Sequence, residues 1–205
     1  MIDTALRRTV VAVALLNLAY FGVEFSVARA IGSVSLFADS VDFLEDASIN
    51  TLIAVALGWP ARRRAALGMV LALILLVPGI ATVVTAWQKL QLPIAPDPVL
   101  LGATGVGALV VNLACALLLA RFRAHAGSLS RAAFLSARND AFANVAIVAA
   151  GAATALVGNA WPDLVVGIGI AILNADAARE VFAEARREHV AAANLSAARG
   201  RAGSA

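Results

Sequence analysis

The chain has 205 residues, of which 61% are hydrophobic and 14% are charged. Ordinary soluble domains carry about 25% charged residues, so this composition excludes a typical soluble globular fold. The formal net charge of +3 does not indicate a nucleic-acid partner, because the basic residues lie between apolar runs and not along one groove-binding element. The single cysteine, Cys115, excludes a disulfide framework within one chain.

Six apolar segments follow one another along the chain, each close to the roughly 20 residues with which a helix crosses a bilayer. They are predicted at 6–31, 35–57, 65–87, 99–122, 132–157 and 163–182. The fold class is therefore predicted to be all-α, an integral membrane bundle of six transmembrane helices. Residues 1–182 would form this membrane domain, and residues 183–205 a short cytosolic helical extension with a disordered tail.

The basic residues predict the orientation of the bundle, because Lys and Arg accumulate on cytoplasmic loops. With the N-terminus inside, Arg7, Arg8 and the arginine run at 62–64 all fall on the cytoplasmic side, and only Arg29 and Lys89 lie outside. The predicted topology is N-in/C-in with an even number of spans. We expect a multi-pass protein of a bacterial-type inner (plasma) membrane.

Polar residues interrupt the first segment at Asn17 and Glu24, which are seven positions apart and so share one helix face. We expect them to support the second helix by hydrogen bonds between helices.

The second segment begins with a stripe of acids. Asp39, Asp42, Asp46 and Asn50 are spaced by three, four and four residues, which places them on one face of a helix, while Glu45 is turned away. Because an Asp at mid-bilayer depth costs roughly 2.5 to 3.5 kcal/mol, it persists only beside a cation, a proton path or a bundle interior. Asp42 and Asp46, one turn apart, are close enough to share a divalent ion, whereas Asp39 could equally cap the helix end.

Small and polar residues mark the fourth segment. Gly102, Gly105 and Gly107 predict close helix packing, and Asn112 predicts a hydrogen bond between helices.

The fifth segment supplies a partner for the acidic stripe. Ser136, Asp140 and Asn144 are spaced by four on one helix face, and the sequence predicts that the acids of both helices meet near the membrane centre. Carboxylate, hydroxyl and amide oxygens favour harder ions such as Mn²⁺, although zinc also accepts carboxylates.

At this point the chain resembles a known family, the cation diffusion facilitators, which are six-span antiporters of divalent metal ions and protons. The residues that carry the resemblance are Asn17, Glu24, Gly32-Ser33, Ser35-Leu36, Ala38-Asp39, Asp42, Asp46, Asp140, Asn144, Trp161-Pro162-Asp163 and Gly167. The specific part is the aspartate pair of the second segment.

The resemblance implies a tetrahedral transport site with metal contacts from Asp42, Asp46 and Asp140. Ser136 stands where the family usually has a histidine, which leaves the fourth ligand open. Further candidate ligands are Asn139, Asn144 and Asp39.

The implied activity is export of a divalent cation, Mn²⁺, Zn²⁺, Co²⁺, Ni²⁺ or Fe²⁺, from the cytoplasm in exchange for protons. No catalysis and no tightly bound cofactor are expected. The expected partners are the lipid bilayer, the metal ion and protons. Because residues 183–205 are far shorter than the family's usual cytosolic domain, a homodimer would have to form through the membrane helices.

Two alternatives stay open. The serine at position 136 and the short C-terminus would suit a degenerate relative that does not transport alone and depends on a partner. Membrane phospholipid-synthesis enzymes also place several aspartates on adjacent helices, but their pattern continues through Ala-Arg to two more aspartates, whereas Asp46 is followed by Ala47-Ser48-Ile49-Asn50.

Overall fold

The computed structural model describes residues 2–56, 59, 63, 80–120, 122 and 128–173, and over these residues the chain is helical with no strand. The helices are α1, Ile2–Ile31; α2, Val34–Ala56; α3, described over 80–91; α4, Pro98–Ala120; α5, Ser128–Val157; and α6, described over Trp161–Leu173. The predicted all-α fold is confirmed. The predicted extension at 183–205 and most of the third apolar segment lie outside the described residues.

The bundle has the dimensions and the surface of a membrane protein. Three of the described helices are long and apolar enough to cross a membrane, namely Thr4–Ile31, Pro98–Ala120 and Ser136–Val157. α2 has 23 residues, or about 35 Å of helix, but its four acids make it less apolar. Large apolar side chains such as Leu15, Leu117 and Leu156 are exposed on the outside of the bundle, as expected of a surface that contacts lipid.

Two apolar cores enclose a polar layer between them. α1 packs against α2 and α4, and α5 packs against α4 and α2. Val10, Ile53 and Leu119 belong to the core at one end of these helices, whereas Leu36 and Leu101 belong to the core nearer the other end. The polar residues of the second and fifth segments lie between these cores, in the interior of the bundle.

Glycines allow α4 to approach α5 closely. A Cβ atom at Gly105 would come within 2.9 Å of a side-chain atom of α5, and one at Gly151 would come within 3.0 Å of the backbone nitrogen of Gly102. Gly107 instead faces α1, where a Cβ would collide with the hydroxyl of Tyr20. The predicted role in close packing is confirmed for Gly105 and Gly107, whereas a Cβ at Gly102 would meet nothing within 4 Å.

Asp163, at the start of α6, is a hydrogen-bond acceptor for the start of α2. Its Oδ1 accepts from the hydroxyls of Ser33 and Ser35 at 2.6 and 2.7 Å and from the Ser35 amide at 3.1 Å, while Oδ2 accepts from the Val34 amide at 2.9 Å. A carboxylate at this position satisfies amides that the first turn of a helix leaves free and complements the positive end of the helix dipole.

Lys89 joins the end of α3 to the same cluster. Its Nζ lies 3.4 Å from Asp163 Oδ2 and also donates to the carbonyl of Gly32. Gly32 turns the chain between α1 and α2 with a φ of 62°, a conformation that glycine adopts without strain. These contacts therefore connect the α1–α2 turn, the end of α3 and the start of α6. Helices that cross a membrane in alternating directions must bring these three ends to the same side. Which side of the membrane they face stays a prediction.

Candidate functional site

The acids of α2 lie inside the bundle at different depths of burial. Asp39 and Asp46 are buried, at 0% and 3% exposure, whereas Asp42 and Glu45 are half-buried. Asn50 completes the stripe at 1% exposure and donates through Nδ2 to the Asp46 carbonyl. Three of the four residues of the predicted stripe are therefore buried, whereas Asp42 is no more buried than Glu45, which the sequence predicts to be turned away.

Ser136 connects α5 to this stripe. Its Oγ donates to Asp46 Oδ1 at 2.9 Å, and it also lies within hydrogen-bonding reach of Asp140, one turn further along α5. The hydroxyl thus stands between one carboxyl group on each helix. It is one of two side chains of α5, with Asn144, that donate to the acidic stripe of α2.

The carboxylates of the site repel one another. Asp42 experiences the charges of Asp140 and Asp46, and Asp140 experiences that of Asp46. Within the described ranges, no three side chains among His, Cys, Asp and Glu are grouped so that they could hold one metal ion together. The two helices are joined at this level through the hydroxyl of Ser136.

A second polar cluster lies one turn away on both helices. Asn144 donates through Nδ2 to Asp39 Oδ2, and its Oδ1 accepts from Asn112 Nδ2 of α4 at 2.9 Å. Glu24 of α1 is fully buried and close enough to Asp39 for the two side chains to interact electrostatically. The structure therefore brings Asp39 and Asn144 to each other and to Glu24, and not to the contact between Ser136 and Asp46.

The remaining candidates have other surroundings. Asn139 is exposed and accepts a hydrogen bond from Arg138 at 3.2 Å, so the structure does not bring it to the acids. Asn17 is fully buried, and its Oδ1 faces the Cys115 thiol of α4 at 4.0 Å. Of the two polar residues of α1, only Glu24 reaches α2.

Sequence reasoning anticipated Asn112 as a hydrogen-bonding residue between helices, but it missed Lys89 as a structural residue. A lysine at 6% exposure requires a partner. The available signal was that Lys89 is one of only two basic residues on its predicted side, and that Asp163 opens a segment on the same side.

Comparison with known proteins identifies the family of the chain. A family model described as the cation efflux transmembrane domain matches residues 10–188, a range that contains every candidate residue named above. No curated protein matches the chain. The match covers most of the 205 residues, and the chain therefore belongs to the cation efflux, or cation diffusion facilitator, family of membrane transporters.

Proposed function

We propose that this protein is a divalent metal transporter that exports metal from the cytoplasm in exchange for protons. The ion would bind Asp42, Asp46 and Asp140, with Ser136 in the fourth position. The observation that supports the proposal is the hydrogen bond of 2.9 Å from Ser136 to Asp46, because it joins one fifth-helix residue of the expected ligand set to one of its second-helix acids.

The depth of these residues suits an ion-binding site inside the membrane. Asp46 is ten residues from the end of α2 at Ala56, or about 15 Å along the helix. Asp140 is twelve residues from the start of α5 at Ser128, or about 18 Å. The apolar span of α5 begins at Ser136, four residues before Asp140, so the proposal places both acids within the hydrocarbon core of about 30 Å.

The ligand set favours a hard cation. Three carboxylates and a hydroxyl offer only oxygen ligands, which suit Mn²⁺ and similar hard ions. Zn²⁺, Co²⁺ and Ni²⁺ also bind imidazole readily, and this ligand set contains none. Ser136 can donate to Asp46 before an ion arrives and present an oxygen lone pair to the ion afterwards. Binding would draw Asp42, Asp46 and Asp140 together, since a divalent ion compensates most of their mutual repulsion.

Exchange for protons follows from the cost of charge in the bilayer. When the ion leaves, three carboxylates remain in a poorly solvated interior, and isolated charges there are expensive. Protons that return on these acids neutralise the charge that the metal had neutralised. Alternating access to the two sides of the membrane would then carry the ion one way and protons the other.

The experiment is uptake into proteoliposomes that contain a metal-sensitive dye and a pH dye, with Mn²⁺, Zn²⁺, Co²⁺, Ni²⁺ and Fe²⁺ tested in turn. We expect flux of at least one ion with opposite proton movement. Asp46→Asn should abolish it, while the control Asp97→Asn should retain it, because Asp97 is an exposed aspartate before α4.

Absence of flux for every ion, with insertion into the vesicles verified, would contradict autonomous transport and favour the partner-dependent alternative. Members of the cation efflux family are transporters, so the phospholipid-synthesis alternative has no support from the match.

A further inference from the structure

The described part of α3 contributes little apolar packing to the bundle. Its large side chains point outward, and Ile80, Val83 and Trp87 are 61–65% exposed. The residues Ala81 and Ala86 pack against the apolar cores. Because burial of a methyl group contributes far less than burial of a large side chain, these two contacts do little to hold α3 in place.

Lys89 makes a specific contact between the end of α3 and the rest of the bundle. Its side chain is only 6% exposed. The ammonium group lies 3.4 Å from Asp163 Oδ2 and also donates to the Gly32 carbonyl. A buried lysine without such partners is costly. One flexible side chain therefore connects α3 both to the α1–α2 turn and to α6.

The starts of α2 and α6 hold each other more tightly. Four hydrogen bonds of 2.6–3.1 Å join Asp163 to residues 33–35. A Cβ atom at Gly167 would come within 2.6 Å of the Ser35 backbone nitrogen, so the two helices touch directly. When this end of the bundle opens, the contact made by Lys89 is therefore the one that separates, and α2 stays with α6.

The structure is closed at this end of α2. Every residue from 33 to 40 is buried. Val34, at 0% exposure, belongs to a small apolar core against which Ala86 of α3 packs. The acids Asp42 and Asp140 are only half-buried. The part of α2 between these acids and the α1–α2 turn is therefore the more tightly enclosed, and α3 covers some of it.

We infer that Lys89 is a latch: its contacts with Asp163 and the Gly32 carbonyl hold this end of the bundle closed, and their release lets α3 move away from α2 and α6. As a step of the transport cycle, this inference rests on the proposed function, because alternating access requires the site to open toward this side. The latch itself does not depend on transport.

Labelling of a buried cysteine tests the latch. In a Cys115→Ala background, Val34→Cys places a thiol in the core that α3 covers, and a membrane-impermeant thiol reagent is added to proteoliposomes of known orientation. We expect slow labelling of this protein. Lys89→Met should accelerate labelling by about tenfold or more from the side that the α1–α2 turn faces, because a hydrogen bond to a charged group changes an equilibrium by about that factor.

Two further variants separate a latch from a general loss of stability. Asp163→Asn keeps an acceptor for residues 33–35 but loses the charge that Lys89 pairs with, so it should accelerate labelling from the same side. It gives an independent reading if Lys89→Met does not insert. Gly105→Ala is the control, because it strains the packing of α4 on α5 and should leave the labelling rate unchanged.

The labelling rates decide the inference independently of transport. An unchanged rate in Lys89→Met, equal acceleration from both sides of the membrane, or equal acceleration by Gly105→Ala would overturn the latch. Metal flux is measured in the same vesicles before the reagent is added. Side-specific acceleration by Lys89→Met, in a protein whose wild type moves none of the five ions, would reject the transport proposal and leave the latch established.

Discussion

Replacing Asp163 with alanine should destabilise the protein far more than removal of an ordinary helix cap. The Asp163 side chain is fully buried, at 0% exposure. It accepts hydrogen bonds from the hydroxyls of Ser33 and Ser35 and from the amides of Val34 and Ser35, and it pairs with Lys89 at 3.4 Å. One substitution therefore leaves four donors and a buried ammonium group without their acceptor.

The size of the effect follows from these contacts. Removing one partner of a buried ion pair costs about 3–5 kcal/mol. Each hydroxyl or amide that is left without an acceptor and without water adds about 1–3 kcal/mol to this loss of stability. We therefore expect Asp163→Ala to lose at least about 4 kcal/mol. At about 2–4 °C per kcal/mol for a chain of this length, the melting temperature should fall by about 8–16 °C.

Asp97 provides a matched control because it is also an aspartate at the start of a helix. It is exposed, and its Oδ1 accepts from the amides of Val99 and Leu100 at 2.9 Å each. Removing such a cap costs about 1 kcal/mol, so Asp97→Ala should lower the melting temperature by only about 2–4 °C. Lys89→Met should fall between the two, since it leaves Asp163 with its four other donors.

Thermal unfolding in detergent, followed by intrinsic fluorescence and by size-exclusion elution of heated samples, measures the three shifts side by side. Equal shifts for Asp163→Ala and Asp97→Ala would refute the reasoning, because they would mean that the buried cluster contributes no more than an exposed cap.

Three further substitutions test other parts of the structure. Ser136→His should raise the flux of Zn²⁺ relative to Mn²⁺ by about tenfold or more, because imidazole suits zinc. Competition between the two ions in proteoliposomes measures this ratio, and an unchanged ratio would count against Ser136 as a ligand. Gly167→Ala should lower the melting temperature, because its Cβ would come within 2.6 Å of α2 backbone atoms, whereas Gly169→Ala meets nothing within 4 Å and should not. Asn112→Leu removes the donor to Asn144 at 2.9 Å and should lower the free energy of unfolding by about 1–3 kcal/mol, measured by the same unfolding assay. A stability equal to wild type would argue against a stabilising role for the hydrogen bond between Asn112 and Asn144.

The sequence predicted the inward faces of individual helices better than the contacts between them. The period of a helix is sufficient to align Asp42 with Asp46, or Ser136 with Asp140, because both members belong to one element. Asn139 is a candidate ligand by residue type alone, because the same period rotates it by about 100° from Asp140, and the structure shows its side chain exposed.

Contacts between helices depend on register, which the sequence does not state. The partnership of Glu24 with Asp39 depends on how α1 and α2 align after the turn at Gly32. The proximity of Asn144 to Asp39, and not to Asp46, depends on how far α5 is displaced along α2. Small residues and the polar cluster at Asp163 together determine how far each helix is shifted along its neighbour. No single segment of the sequence therefore predicts the contacts between helices.

The cluster at Asp163 also has a consequence for synthesis of the protein. Ser33 and Asp163 are separated by 130 positions in the chain, which corresponds to roughly 6 to 26 s of translation at about 5–20 residues per second. During that interval the first helical hairpin has been made, but the acceptor for its turn has not. The amides of Val34 and Ser35 and the ammonium group of Lys89 must stay hydrated at the membrane surface until α6 arrives. α6 is thus the part of the chain that allows the first hairpin to reach its mature position.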